Sequence, residues 1–257
     1  MRSLLDDLAE GAGPVQRVQR AMRRALPKRF YKTTSVAGHD GAFEVRLDGK
    51  AAKTPARKTL ALPSRALAEI VAAEWAAQGE TIEPGKMPLT RLANVALDRV
   101  AADPEAVAAE IAKYAGSDLV CYRAREPAGL VAAQGAAWDP LLFWARDQLG
   151  ARFVCAEGVR LVSQPEEAIA AVRAEIETAQ RPFGLAALAS ATALTGSVLI
   201  ALALARGRLS ADAAWAAAHV DEDWNIARWG ADGEATQRRM ARRAEFDAAV
   251  RVLGLLS

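Results

Sequence analysis

Only two histidines, His39 and His219, stand in a chain of 257 residues, so acid–base or metal chemistry must be built around one of them or around carboxylates alone. His219 is followed three residues on by Glu222 and four on by Asp223. On a helix those spacings share a face, which makes a metal-ligand pair geometrically feasible and a metal-dependent hydrolase the enzyme reading to test. A pair is not a site: a di-iron bundle needs Glu-x-x-His on two helices, and here the order is His-x-x-Glu and occurs once. His219 is therefore read as a core-edge or solvated side chain. Cys121 and Cys155 are the only cysteines, too few for a disulfide framework and not in a CxxC arrangement. With no activating histidine that sequence can identify, both are expected to be buried structural thiols. No GxxxxGK[ST] phosphate loop, no GxGxxG and no GxSxG elbow occurs. The expectation is a protein without cofactor, metal site or catalytic set, working by binding another protein.

Two segments hold chemistry of a different kind. The first contains Glu74, Trp75, Pro88, Thr90, Asn94 and Asp98, the last three each four residues apart and so forming one polar row on a helix. The second runs Asp221-Glu222-Asp223-Trp224, then Trp229-Gly230 and Glu234. Three consecutive acids cannot share one side of a helix, since neighbours lie about 100° apart. Glu222 falls on a stripe with Trp215, Ile226 and Trp229; a carboxylate there is either neutralised by an internal arginine or offered to a partner.

The elements that must carry these residues follow from periodicity. Residues 14–26 alternate Val15, Val18, Met22 and Leu26 with arginines, as a short basic amphipathic helix does, so residues 1–27 form a basic arm. Phe43, Val45 and Leu47 then alternate with Glu44 and Arg46, and Asp48-Gly49 supplies a tight hairpin turn. With Phe30 to Val36 before and Thr59 to Leu62 after, a β-rich unit spans 28–66 and extends at most to about 85. Ser64 caps a helix bearing Leu67, Val71 and Trp75, which ends by Gly79. A second helix carries Leu89, Leu92, Ala93, Ala96, Leu97 and Val100 as its apolar stripe. Asp103-Pro104 and Asp139-Pro140 both read as an N-cap followed by a first-turn proline, opening helices that end near Gly116 and Gly150. Residues 152–162 suggest a short hairpin around Glu157-Gly158. Leu185 to Ala205 carries no charge and is long enough to cross a bilayer. Ser190, Thr192, Thr195, Gly196 and Ser197 dilute it, and it is read as a buried central helix. Ser210 caps the next helix through Trp229, and a charged helix starts near Gly233. The fold class is α+β: a small β-rich N-terminal part, then a mainly helical domain over 67–257, without βαβ alternation.

Composition agrees. The chain is 52% apolar and 25% charged, with a net charge of +2 divided as +8 over residues 1–66 and −6 over the rest. The basic head has few aromatics for base stacking, which argues against nucleic acid. Met1 to Glu10 lacks the apolar stretch of a secretory signal, and Asp6, Asp7 and Glu10 do not suit a transit peptide. A cytoplasmic, monomeric protein without stable membrane insertion is expected. A membrane-surface protein using the basic arm and residues 185–205 is the third reading, and sedimentation with liposomes would reveal it.

Glu74-Trp75, Met87-Pro88-Leu89-Thr90, Asn94 and Asp98 resemble the most recognisable stretch of the assembly chaperone family that attends the alpha subunit of the F-type ATP synthase's catalytic head. Ser117-Asp118-Leu119-Val120-Cys121-Tyr122-Arg123 is similar to that family's next motif, and Asp221 to Gly230 to its C-terminal one. The resemblance runs from about Arg29 to the last helix. It implies a two-part α+β chaperone that holds unassembled alpha subunit until beta takes its place, without ATP hydrolysis. It also implies a client-contacting surface at Asp221, Glu222, Asp223, Trp224, Trp229 and Glu234. Trp224 stands where mitochondrial members tend to have Tyr, and Asn225 where Gln is more usual; aromatic and amide chemistry are kept.

Overall fold

In the computed structural model the described residues are 26–158, 162–179 and 181–256. The basic arm expected over 1–27 lies outside them except for Leu26 and Pro27. The alternating apolar positions of the N-terminal unit do form a sheet. Strand β1 (Thr34–His39) pairs antiparallel with β2 (Ala42–Leu47), with Thr34 opposite Leu47 and Val36 opposite Val45. The short strands β3 (Lys50–Ala51) and β4 (Ala61–Leu62) both pair with β2. The Asp48-Gly49 turn has φ of 48° and 78°, the two left-handed residues that match strand twist. The Asp48 carboxylate accepts the backbone N–H groups of Lys32 and Thr33 at 3.0 and 2.8 Å. Phe30, expected in the first strand, precedes it and is 72% exposed. Glu44, expected on the polar face, is covered, with Arg46 closing over it at 3.1 Å.

Val45, Leu47, Leu60 and Leu62 pack under helix α1 (Arg65–Ala76), whose Leu67 and Val71 are buried, so the helix sits on β1 and β2. Ser64 Oγ accepts the Leu67 N–H at 3.3 Å. Helix α2 (Pro88–Val95) continues as a π-helical turn over Ala96–Val100, and α3 (Pro104–Lys113) is capped by Asp103 through Ala106 N–H at 3.0 Å.

Further expectations fail in the helical part. Asp139 does not cap a new helix: α4 (Ala128–Trp144) passes straight through Pro140 and ends in a π-helical turn at Gly150. Asp139 instead faces Arg123 at 2.8 Å. That ion pair uses the carboxylate away from a cap, and the helix continues although Pro140 brings no backbone N–H to it. The described part of 152–162 does not pair with itself. Strand β6 (Ala156–Glu157) lies parallel to β5 (Tyr122–Arg123). The uncharged stretch is buried as expected, but as two helices, α6 (Phe183–Thr195) and α7 (Val198–Ala205), separated by Gly196 at φ 69° and capped anew by Ser197. No helix among the described residues is long and apolar enough to cross a membrane.

At that break the second helix is held by Asp118. Its fully buried carboxylate accepts Val120 N–H at 3.2 Å and Leu199 N–H at 3.1 Å, fastening the start of α7 to the 117–123 segment. Burial raises the Asp118 carboxyl to about 6, against the lowering pull of bonds from Ser197, Leu199, Val120 and Val198. Against the α6–α7 pair pack α8 (Ala211–Ala218) and α10 (Gly233–Leu256), while α5 (Glu166–Ile176) packs on α3 and α9 (Val220–Trp229) on α4 and α8. Residue 210 caps as expected, but the helix expected to run to Trp229 is broken at His219, whose φ of −123° and ψ of 22° are not helical.

Candidate functional site

The two segments singled out by composition are placed in opposite ways. In the first, Glu74 projects from α1 onto the N-terminus of α2. Met87 supplies no side-chain cap there, so the N–H groups of Leu89 and Thr90 need acceptors. The Glu74 carboxylate takes both, at 2.8 and 2.7 Å, and the Thr90 hydroxyl at 2.8 Å. A carboxylate at a helix N-terminus also meets the favourable end of the helix dipole. Burial nevertheless dominates and moves the Glu74 carboxyl above its usual range, against those same bonds and Arg91. Pro88 at the first helical position has no N–H to satisfy. Trp75 is half-buried, its ring edge-on to Tyr31 at 5.7 Å, and its carbonyl accepts the Tyr31 hydroxyl at 2.7 Å. Two turns along α2, Asp98 accepts the Thr54 hydroxyl at 2.7 Å and Ala56 N–H at 3.0 Å. The polar row thus ties helix to β-unit; Asn94 lies between, its Oδ1 buried and without a hydrogen-bond partner.

The second segment lies on α9. Among the described α-helices it alone has no buried residue. The break at His219 explains this. Trp215, on α8, stays in the core, whereas beyond the break the stripe turns outward and Trp229 is 77% exposed. The stripe expected to join Trp215 to Trp229 is therefore interrupted. His219 itself is 5% exposed, stacked on Trp215 with centroids 4.0 Å apart, and its Nδ1 lies 2.8 Å from the Trp215 carbonyl oxygen. Burial lowers its pKa, against the bond to Trp215, so the neutral ring donates from Nδ1. Glu222 is 3.9 Å from Nε2, beyond hydrogen-bond reach. Among the described residues no group of three or more His, Cys, Asp or Glu could hold a metal ion, and the hydrolase reading has no support.

The three acids have different fates. Asp221 accepts Nε2 of Gln134 at 2.7 Å, and Gln134 Oε1 in turn accepts Ala124 N–H. Asp223 pairs with Arg239 of α10 at 2.5 Å. Among the described residues Glu222 is met only at 3.9 Å, by Arg239 and His219, and its side chain is 39% exposed. Trp224 turns inward: a Cβ on Gly129 would come within 2.3 Å of its Cη2, and the Arg228 guanidinium lies 3.6 Å above its ring. Glu234 is exposed beside Arg238 at 3.4 Å. Between α9 and α10 an open cleft of about 280 Å³ is lined by Glu222, Ile226, Trp229, Thr236 and Arg239 among others. The exposed Met240 borders the adjoining hollow on α10. Sequence reasoning missed Arg239, Met240, Gln134 and Gly129. The partner of Asp223 lies on another helix, and nothing local marks it out from the neighbouring arginines. The expectation that both cysteines are buried also fails, since Cys155 is exposed.

The model of the family described as ATP12 chaperone protein matches residues 28–146. The Atu1473 protein from Agrobacterium tumefaciens is 48% identical in sequence, with a TM-score of 0.87 over 99% of this chain and 96% of that one. Atp12 from Paracoccus denitrificans is 39% identical, with a TM-score of 0.82 over 90% of this chain and 99% of its own. The mitochondrial protein atp12 of Schizosaccharomyces pombe is 22% identical over 215 residues, covering 79% of this chain and 74% of that one.

Proposed function

This chain belongs to the ATP12 chaperone family, and we propose that, as an ATP synthase assembly chaperone, it holds the unassembled alpha subunit of the F-type enzyme on the face formed by α9 and α10. The observation that carries the placement is that α9 has no buried residue and presents Trp229 at 77% exposure beside an acid with no close internal partner. Trp229 is not an isolated apolar residue but lines the cleft between α9 and α10 with Ile226, and Trp dominates the energetics of many interfaces. In this reading Asp221, Asp223 and Trp224 hold α9 in place through Gln134, Arg239 and the surface at Gly129. Glu222, Trp229 and Glu234 are then the groups that meet the client, and covering the cleft keeps alpha from aggregating before beta pairs with it.

The test is Glu222→Lys. Truncating one member of a buried interfacial charge pair costs ~2–5 kcal/mol, and reversal adds repulsion, so affinity for isolated alpha subunit should fall more than tenfold. Circular dichroism and melting should match the parent, because no close internal bond is lost. Full retention of alpha binding and of protection against its aggregation would move the site elsewhere. Unfolding of the variant would make Glu222 a structural residue.

A further inference from the structure

The two cysteines, far apart in sequence, are brought side by side by the smallest sheet in the molecule. In the parallel pair, Tyr122 lies opposite Ala156 and Arg123 opposite Glu157, so Cys121 and Cys155 occupy the next position upstream in both segments. Adjacent strands lie ~4.8 Å apart, within the ~4.4–6.8 Å between Cα atoms that a disulfide spans. One thiol is buried and the other exposed. We propose that Cys155 and Cys121 are an oxidisable pair: a hydroperoxide attacks at Cys155, and Cys121 then closes an intramolecular disulfide.

The surroundings suit each role. The two thiols act on one another. The neighbouring Cys121 thiol, and then the Arg123 guanidinium, lower Cys155 to about 6 against the opposing effect of burial. Cys121 is pushed up, first by Cys155 and then by burial and the nearby Asp118. The exposed sulfur is therefore the thiolate and the buried one keeps its proton, which is the division of labour such a pair needs. The Cys155 thiolate attacks the terminal peroxide oxygen, the O–O bond breaks, and the alkoxide or hydroxide leaves with a proton from water, giving Cys155 sulfenic acid. The Cys155 charge, one of the effects that held the Cys121 proton, is then gone. Cys121 sulfur attacks the Cys155 sulfur, the S–O bond breaks, and the hydroxide departs as water with the Cys121 proton. Two thiols lose two electrons, and the peroxide is reduced to an alcohol or water, plus one further water.

This inference does not depend on the identity of the client. The reduced full-length protein is freed of reductant, exposed to hydrogen peroxide in slight excess, quenched, denatured and alkylated. Intact mass spectrometry should show a species lighter by two hydrogens with no alkylated thiol, and a peptide map should link Cys121 to Cys155. Cys121→Ser should instead accumulate a dimedone adduct on Cys155, and Cys155→Ser should leave Cys121 unmodified. Persistence of both free thiols would overturn the pair. So would a dimer joined through Cys155 with Cys121 still free. Should Cys121→Ser not fold, the mass of the parent protein decides the matter alone.

Discussion

The segment from Glu74 to Asp98 and the segment from Asp221 to Glu234 are made of the same materials: acids, tryptophan and an amide. In the first, Glu74 caps α2 and Asp98 gathers the 54–56 turn, both at hydrogen-bond distance, while Trp75 packs on Tyr31. In the second, the outermost groups, Glu222 and Trp229, have no close polar partner among the described residues. Residue type does not separate a structural motif from a docking surface. What separates them is whether the chain itself supplies the matching donors and the covering apolar area. The first segment should therefore report on stability and the second on binding.

The largest stability effect should come from Trp75→Ala. Removing a core tryptophan typically costs ~3–5 kcal/mol, and this half-buried ring belongs at the lower end; thermal melting should fall by several degrees. If the variant melts like the parent yet loses the alpha subunit, the first segment is a contact surface too, and the contrast collapses. Next comes the buried acid of the intervening motif. Because burial raises the Asp118 carboxyl to about 6, the folded state binds more protons than the unfolded one between about pH 4 and 6. Stability is thus fullest below that window and falls as pH rises through it, in total on the order of 3 kcal/mol. Urea midpoints across this range should lose that component of the slope in Asp118→Asn, and identical slopes for the two proteins would remove Asp118 from the account. Asp98→Ala should cost about 2 kcal/mol for two lost bonds to a charged acceptor, with faster hydrogen exchange confined to the 54–58 turn. Unchanged exchange there would mean the tie is not needed. The smallest effect is expected at Trp229→Ala: stability within ~0.5 kcal/mol of the parent, yet affinity for alpha subunit reduced about tenfold or more. A large loss of stability would place Trp229 with the internal group.

Much of this protein is decided by neighbours in the chain. Asp48-Gly49 makes its turn, Ser64, Asp103 and Ser210 cap their helices, and the alternation of Phe43, Val45 and Leu47 makes a strand, because each requirement is met within about four residues. The family motifs were legible too, since their order along the chain survives whatever they contact. What only the folded molecule decides are the pairings across long separations: Thr54 with Asp98 over 44 residues, Asp118 with Leu199 over 81, and Gln134 with Asp221 over 87. The second of them fastens the start of α7 just past the break at Gly196, and the ion pair of Arg123 with Asp139 accompanies a helix that runs through Pro140. Packing across such separations also sets the Cys155 segment beside that of Cys121. Periodicity and capping act over one helical turn, whereas the partner of a buried charge is selected by which surfaces pack together. No local pattern encodes that choice.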